Sequence, residues 1–565
     1  MDRNILFAFL LSTVVLLGYY QLFPPEEPTP QVTEQKAPSE TAPQALTQAA
    51  APAAVNLTPV AAQALVSPVT EAPGVAEDIT VSGPLYTAVL NTQGGVLKSF
   101  KLNNYDYAGP DPHPAANWVY HIFSKKDLPV YDPKRKVEMV GHNQPVWFLG
   151  TSLSDVSAPY FTSDQKSVTL SDKAVNLTLT GRLANGLILT KTATFHPDSY
   201  QVEVNFTLNN PGDQPIKVEP TINFGAGNEP VEPDQFNKPQ EGAVYEDGSF
   251  TTYADDDVEK PLVLRKLAWA SVMDTYFISM FKPTDVESFS TRLEGIEVQT
   301  HDTTLLVPVM KYQEPAFELR SGQSYQKSFQ LYIGPKIQSN LEIFEKSATS
   351  ALDLGWFDFF AYPMLAILRW LYGVVHNWGV AIIFLTFVVR AVLFPLAFKG
   401  MMSMRRMAKL NPRMKYLRDK YKKDKDRLNR EVMALYKKNK VNPVGGCLPL
   451  VAQVPVFIAL YSALMPAIEL RHQPFALWLT NLSAADYTLV LPILMGVTMF
   501  IQQRITPTPA MDPTQAKVMK WMPVLMMFFF LNMPSGLVLY WVVSNILTIF
   551  QQMLFNKIKE AEIQH

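Results

Sequence analysis

One residue stands where its type is costly. Arg390 lies in NWGVAIIFLTFVVRAVLFPLAFK, a run otherwise uncharged from Asn377 to Phe398. Lys399 follows nine positions later, so on a helix Arg390 sits about 13 Å short of the next charge. A guanidinium at that depth in lipid reaches headgroups only partly by snorkelling. Its other options are a water-filled cavity, backbone carbonyls, a lipid phosphate, or a carboxylate brought by another molecule. The other apolar runs of the C-terminal region, 446–466, 487–504, 518–533 and 536–556, contain no Asp or Glu; the nearest, Glu469 and Asp486, sit at outer ends. Arg390 therefore has no counter-ion in its own membrane segments. Thr386, Gln453, Gln502, Gln503, Ser544 and Asn545 are the polar residues able to line a cavity with it, although each alone also suits an interhelical hydrogen bond.

Several chemistries are excluded. The one cysteine, Cys447, rules out a disulfide framework, an iron–sulfur cluster and a thiolate zinc site. An intramembrane protease needs a Ser/His dyad or an Asp pair, yet His376 and His472 sit at span borders and no Asp is internal. There is no GxxxxGK[ST] loop for a nucleotide, and no set of buried carboxylates for an ion-coupled transporter. The expectation is a passive device that handles another polypeptide: not an enzyme, with no cofactor, metal or small-molecule substrate.

The elements that must position Arg390 follow from composition. The chain has 565 residues, 48% hydrophobic and 18% charged, which is apolar for a soluble protein. Its net charge of −2 hides an asymmetry: 24 Lys+Arg against 40 Asp+Glu over residues 1–345, and 25 against 11 over residues 346–565. Residues 1–23 read as an uncleaved transmembrane anchor, since Gly18 is followed by Tyr19 and Tyr20 rather than a small-residue cleavage site. Residues 24–77, with ten prolines, read as a disordered tether. From 78 to 340 the texture is period-2 alternation, clearest in YQVEVNFTLNN, which predicts an antiparallel β domain of two packed sheets. It carries no catalytic constellation and reads as a binding or spacer domain. Residues 341–376 suit a helix along the membrane surface. Residues 377–565 form a five-span membrane core, six spans in all with the anchor.

Orientation follows from residues 399–443, which hold 16 Lys/Arg and four acids. That segment is expected in the cytoplasm as a helical hairpin, which puts both termini inside and the β domain outside. Met407, Leu410, Met414, Leu417 and Tyr421 fall at helical spacing, and Pro412 should kink the first helix or mark its restart. The basic surface is a solvated topology signal or a dock for ribosomal RNA or lipid headgroups.

Four collinear stretches carry a resemblance: NWGVAIIFLTFVVRAVLFPL, MALYKKNKVNPVGGCLPLVAQVPVFIALY, PFALWLTNLSAADYTLVLPILMGVTMFIQQ and KWMPVLMMFFFLNMPSGLVLYWVVSNILTIFQQ. Over residues 350–556 the chain closely resembles the YidC family of membrane protein insertases of bacterial inner membranes, in the Gram-negative form with a large periplasmic domain. The resemblance implies an all-β periplasmic super-sandwich beside a multi-pass α-helical core. It implies an insertase and chaperone that works alone or with the Sec translocon, taking nascent membrane proteins from the ribosome into lipid. The family's groove arginine falls on Arg390, and its substrate-contacting positions on Val454, Pro455, Phe457 and Tyr540. The C-terminal NKIKEAEIQH is short and not strongly basic, a departure from members with basic tails. The expected route takes a segment past the second and fourth spans, counting the anchor as the first, into lipid thinned by short spans. The alternative is a post-insertion lateral chaperone without autonomous insertase activity.

Overall fold

The computed structural model describes residues 75–107, 135–140, 150–153, 160–224, 241–253, 262–264, 266–284, 290–299, 304–422, 424–439, 441–442, 448–507 and 513–564. The expected anchor, and the expected tether up to residue 74, lie outside the described residues.

Alternation builds the β domain. In strand Gln201–Asn209, Val202, Val204, Phe206 and Leu208 are buried while Glu203 is exposed. Val204 sits opposite Ala193 on one neighbouring strand and Phe329 on the other, so one face is apolar across all three. These strands belong to a nine-stranded sheet. Two five-stranded sheets, one holding 78–82, 86–91 and 96–106, the other 290–299, 304–313 and 220–224, cover that face. Tyr86 meets Phe195 at 6.3 Å for the first; Phe224 stacks on Phe281 at 3.9 Å and Tyr312 meets Phe329 at 5.0 Å for the second. The expected pair of packed sheets is thus one large sheet under two smaller ones. Nine strands at about 4.8 Å span more than 35 Å, wider than either five-stranded sheet covers.

Two lysines are caught in this sandwich. Lys327 pairs with Glu314 at 2.9 Å, and Tyr312 Oη donates to the same carboxylate at 2.8 Å. Lys191 is 3% exposed; its ammonium donates to the carbonyls of Gly94 and Gly95 at 2.7 and 3.1 Å and lies 4.9 Å from the Phe161 ring. It ties the turn at 92–95 to the large sheet.

The C-terminal region is helical. Segment 341–376 is not one helix: α1 (Gln338–Phe344) is followed by 3-10 turns at Lys346–Leu352 and Gly355–Phe357, with Asp353 in a left-handed conformation between them, before α2 (Asp358–Val375). Ala361, Met364, Leu365, Leu368 and Leu371 form the packed stripe of α2, while Phe359, Phe360 and Trp370 point away from it. By length and composition α2 is also apolar enough to cross a membrane, as are α3 (Trp378–Lys409) and the last helix over Ser535–Lys557.

Helix α3 joins what the sequence divides into a span and the first arm of the hairpin. Its 32 residues cover about 48 Å, well beyond the ~30 Å of hydrocarbon. It stops at Leu410, and α4 (Asn411–Lys420) restarts with Pro412 in its first turn, where a missing N–H costs nothing. Asp424 accepts from Arg427 N–H at 2.9 Å to cap α5 (Lys425–Lys438). Met407, Leu410 and Val441 form the small core that folds this segment on itself. The remaining helices are α6 (Leu448–Leu464), α7 (Val490–Ile505), α8 (Pro513–Phe529), which ends in a 3-10 turn at Phe530–Asn532, and α9 (Ser535–Gln564).

Burial pushes the Lys191 ammonium down to about 7, against ~10.4 for the unfolded chain. Between those values unfolding takes up a proton, so stability rises with pH from about 7 to about 10. The β domain's resistance to thermal proteolysis, measured in detergent across that range, should rise at up to about 1.4 kcal/mol per pH unit. Lys191→Met should flatten the profile; an unchanged slope in that variant would remove Lys191 as its source.

Candidate functional site

Arg390 projects from the middle of α3, half-buried, toward α9. Its Nε donates to Ser544 Oγ at 2.9 Å, and one terminal nitrogen reaches the same hydroxyl. Ser544 is one turn from Tyr540 on the same helix, α9. Gln453 on α6 donates to Tyr540 Oη at 3.2 Å. Three helices thus converge on one chain of neutral polar groups that ends at a cation. Among the described residues no ion pair includes Arg390.

The other polar candidates do not gather there. Thr386 is fully buried and donates back to Ile382 O at 2.7 Å, so its hydroxyl serves its own helix. Asn545 donates to Thr498 Oγ1 at 3.2 Å, holding α9 to α7. Gln503 donates to the Met519 carbonyl, holding α7 to α8. Gln502 is half-buried one helical turn before Thr506, which bonds its carbonyl. Of the apolar candidates, Val454 is 43% exposed on α6 and Pro455 is half-buried. Tyr540 is completely buried; in this conformation it touches Gln453 rather than open space. Phe457 packs edge-on against Trp541 at 5.0 Å, and Trp541 lies 5.1 Å from Phe530. That aromatic cluster is missed by sequence reasoning, because Phe530 and Trp541 look like ordinary lipid-facing residues in a run that is apolar throughout.

Beyond Arg390, toward the end away from the basic segment, the interior of the bundle is apolar and closely packed. Ala381, Ile382 and Leu385 on α3, Leu460 on α6, Leu491 and Met495 on α7, and Leu537 and Val538 on α9 are all buried. The segment joining α6 to α7 closes this end. Asn377 accepts from Val380 N–H at 3.0 Å to cap α3 and donates to Phe475 O at 3.2 Å. Ser535 N–H and Gly536 N–H donate to Ala484 O and Leu482 O at 2.7 and 2.9 Å. The bundle is thus divided along its length: polar groups lie around Arg390, and tightly packed apolar side chains lie beyond them.

Helix packing leaves one side of the bundle unclosed. Helix α3 packs on α2, α6 and α9; α9 packs on α7, and α7 on α8. Among the described residues, α6 and α8 make no extensive contact along their lengths.

A Cβ at Gly379 would lie 2.1 Å from Phe475 Cδ2, so the outer closure depends on a bare backbone there. Gly379→Ala should lower the thermal midpoint in detergent by the equivalent of about 1–3 kcal/mol, from overpacking. Alanine in an unobstructed helix would gain up to about 1 kcal/mol instead, so a raised midpoint would refute this contact.

Two family models match the chain: one described as 60Kd inner membrane protein over residues 370–562, the other as YidC periplasmic domain over residues 78–367. The membrane protein insertase YidC of Syntrophus aciditrophicus is 36% identical over 581 aligned residues, which cover 99% of this chain and all of that protein. The corresponding protein of Geotalea daltonii is 36% identical, with 99% of each chain covered. A solved structure of an active YidC insertase overlaps 84% of this chain and 91% of its own at 18% identity and a TM-score of 0.35, too weak a likeness to add to these matches.

Proposed function

The chain belongs to the YidC family of membrane protein insertases, and on that premise we propose that it moves hydrophobic segments of nascent membrane proteins from the ribosome into the bacterial inner membrane, alone or with the Sec translocon. Both termini and the basic segment 399–443 face the cytoplasm, and the β domain faces the periplasm. The process makes and breaks no covalent bond in the protein.

The observation that carries this reading is Arg390 held by a serine hydroxyl and, among the described residues, by no carboxylate. An incoming chain with an acidic or polar stretch supplies the missing anion. At about 4 Å and an effective dielectric near 20, that attraction is worth about 4 kcal/mol, against about 1 in bulk water. It is strong enough to draw a carboxylate off the cytoplasmic surface and weak enough to release it. Apolar parts of the same chain then leave toward lipid, each Leu-sized side chain contributing about 1.5–3 kcal/mol on transfer.

The exit is the seam between α6 and α8, the third and fifth spans, in place of the route past the second and fourth that the sequence suggests. The packing supports this choice: α3 and α7 are each joined closely to neighbours, whereas α6 and α8 make no extensive contact along their described lengths and approach only where Phe457 meets Phe530 at 6.3 Å. Val454 on α6 and Leu525 and Phe528 on α8 are exposed apolar residues of the two flanking helices. Helices of 17 and 16 residues in α6 and α7, about 25 Å, thin the adjoining bilayer and shorten the crossing.

Arg390→Lys should retain most insertion, while Arg390→Ala should lose most on substrates whose translocated part is acidic. Equal insertion by wild type and both variants in proteoliposomes would sink the role of the charge. Photocrosslinking from Val454 to a ribosome-stalled chain bearing one short hydrophobic segment should give a length-dependent product, with Val263 in the β domain as the silent control. Contacts that arise only after release from the ribosome would favour a post-insertion chaperone.

A further inference from the structure

Between α6 and α7 the chain runs PFALWL over residues 474–479, and the turn it makes is held rigidly. Phe475 N–H donates to Leu479 O at 2.9 Å, Leu479 N–H to Ala476 O at 3.1 Å, and Leu482 N–H to Gln473 O at 2.9 Å. Behind the turn, Phe475 is seated against Gly379 and its carbonyl receives Asn377 Nδ2. At the apex Leu477 has φ +57°, the left-handed region, where an L residue costs about 1–2 kcal/mol and glycine or asparagine is the usual solution. Leu477 is also 86% exposed, the most exposed large hydrophobic side chain among the described residues, and Pro474 and Ala476 beside it are exposed too. A water-facing turn gains nothing from strain that displays a leucine. The next residue, Trp478, is half-buried with its indole N–H 3.3 Å from Asp486 Oδ2, an arrangement suited to a boundary with one apolar side and one polar side.

The position of the turn identifies what covers it. It connects α6 and α7, whose 17 and 16 residues give about 25 Å of helix each, roughly 5 Å short of the hydrocarbon thickness. A connection between spans that short is drawn down toward the acyl chains on the side where it emerges. We infer that the Pro474–Leu477 turn is a lipid-inserted tip, with Leu477 entering the outer leaflet at the boundary of glycerol and acyl chains and setting the depth of the short bundle. This rests on α6 and α7 being embedded in the membrane and not on the substrate route.

The test uses the full chain with Cys447→Ser and a single new cysteine, Leu477→Cys, labelled with a nitrobenzoxadiazole dye and reconstituted in phosphatidylethanolamine–phosphatidylglycerol vesicles. Val263→Cys, on an exposed strand residue of the β domain, is the aqueous control. At position 477 the emission should shift to the blue, iodide should quench it several-fold less than at 263, and lipid spin-labelled near the glycerol should quench it more than lipid labelled near the chain end. Water-like emission with iodide quenching equal to the control would overturn the proposal. So would blue-shifted emission that neither spin-labelled lipid quenches, because a protein surface, such as the N-terminal segment or a second copy of the chain, would then be the cover.

Discussion

A single unbalanced hydrogen-bonding arrangement organises the membrane domain: the Arg390 guanidinium rests on the Ser544 hydroxyl. A serine neutralises no charge, so the half-exposed guanidinium sits at the edge of a polar patch that Tyr540 and Gln453 extend. Bury it fully among packed side chains and the arginine becomes an uncompensated charge, which costs several kcal/mol. Give it a carboxylate and it becomes an ordinary structural ion pair. Among the described residues no carboxylate pairs with it, and that is the feature the proposed function uses.

That packing is sharply asymmetric along the membrane normal. Beyond Arg390 the helices interdigitate through Ala381, Ile382, Leu460, Met495 and Val538, and the connection between α6 and α7 is bonded to the first turns of both α3 and α9. The same connection reaches the β domain: Arg471 donates to Tyr107 O at 3.0 Å and lies over the rings of Tyr276 and Phe277, while Arg369 on α2 pairs with Glu469 at 2.6 Å. Next to this joint Asp274 is fully buried, and burial raises its carboxyl above the usual range although two backbone N–H groups bond it. The outer closure and the external domain are therefore one mechanical unit.

Much of this is legible in the chain itself. Alternation in YQVEVNFTLNN marks a strand with one buried face, and the run around Arg390 marks a charge without a partner, because both signals are periodic or compositional. The polar groups around Arg390 are harder to sort. Thr386, Asn545 and Gln503 share composition and depth with Ser544, and only helix rotation decides that Thr386 bonds its own backbone while Ser544 meets the arginine. Tyr540, which the family resemblance offers as a contact for a guest, is covered in this structure, and its burial is not legible in the sequence because an apolar run carries no phase information when every face is hydrophobic. The break of 341–376 into short turns escapes the sequence for a related reason: Asp353 adopts a left-handed conformation with no glycine at its own position to announce it.

Pro395 lies within α3, between Arg390 and the basic arm. A proline there removes the hydrogen bond to the Ala391 carbonyl and lowers the bending stiffness of the helix at that point. The long helix is thus two levers on a compliant joint rather than one rod. A load placed on the basic arm would bend the helix at the proline before it turned the Arg390 stretch, which is packed against α9.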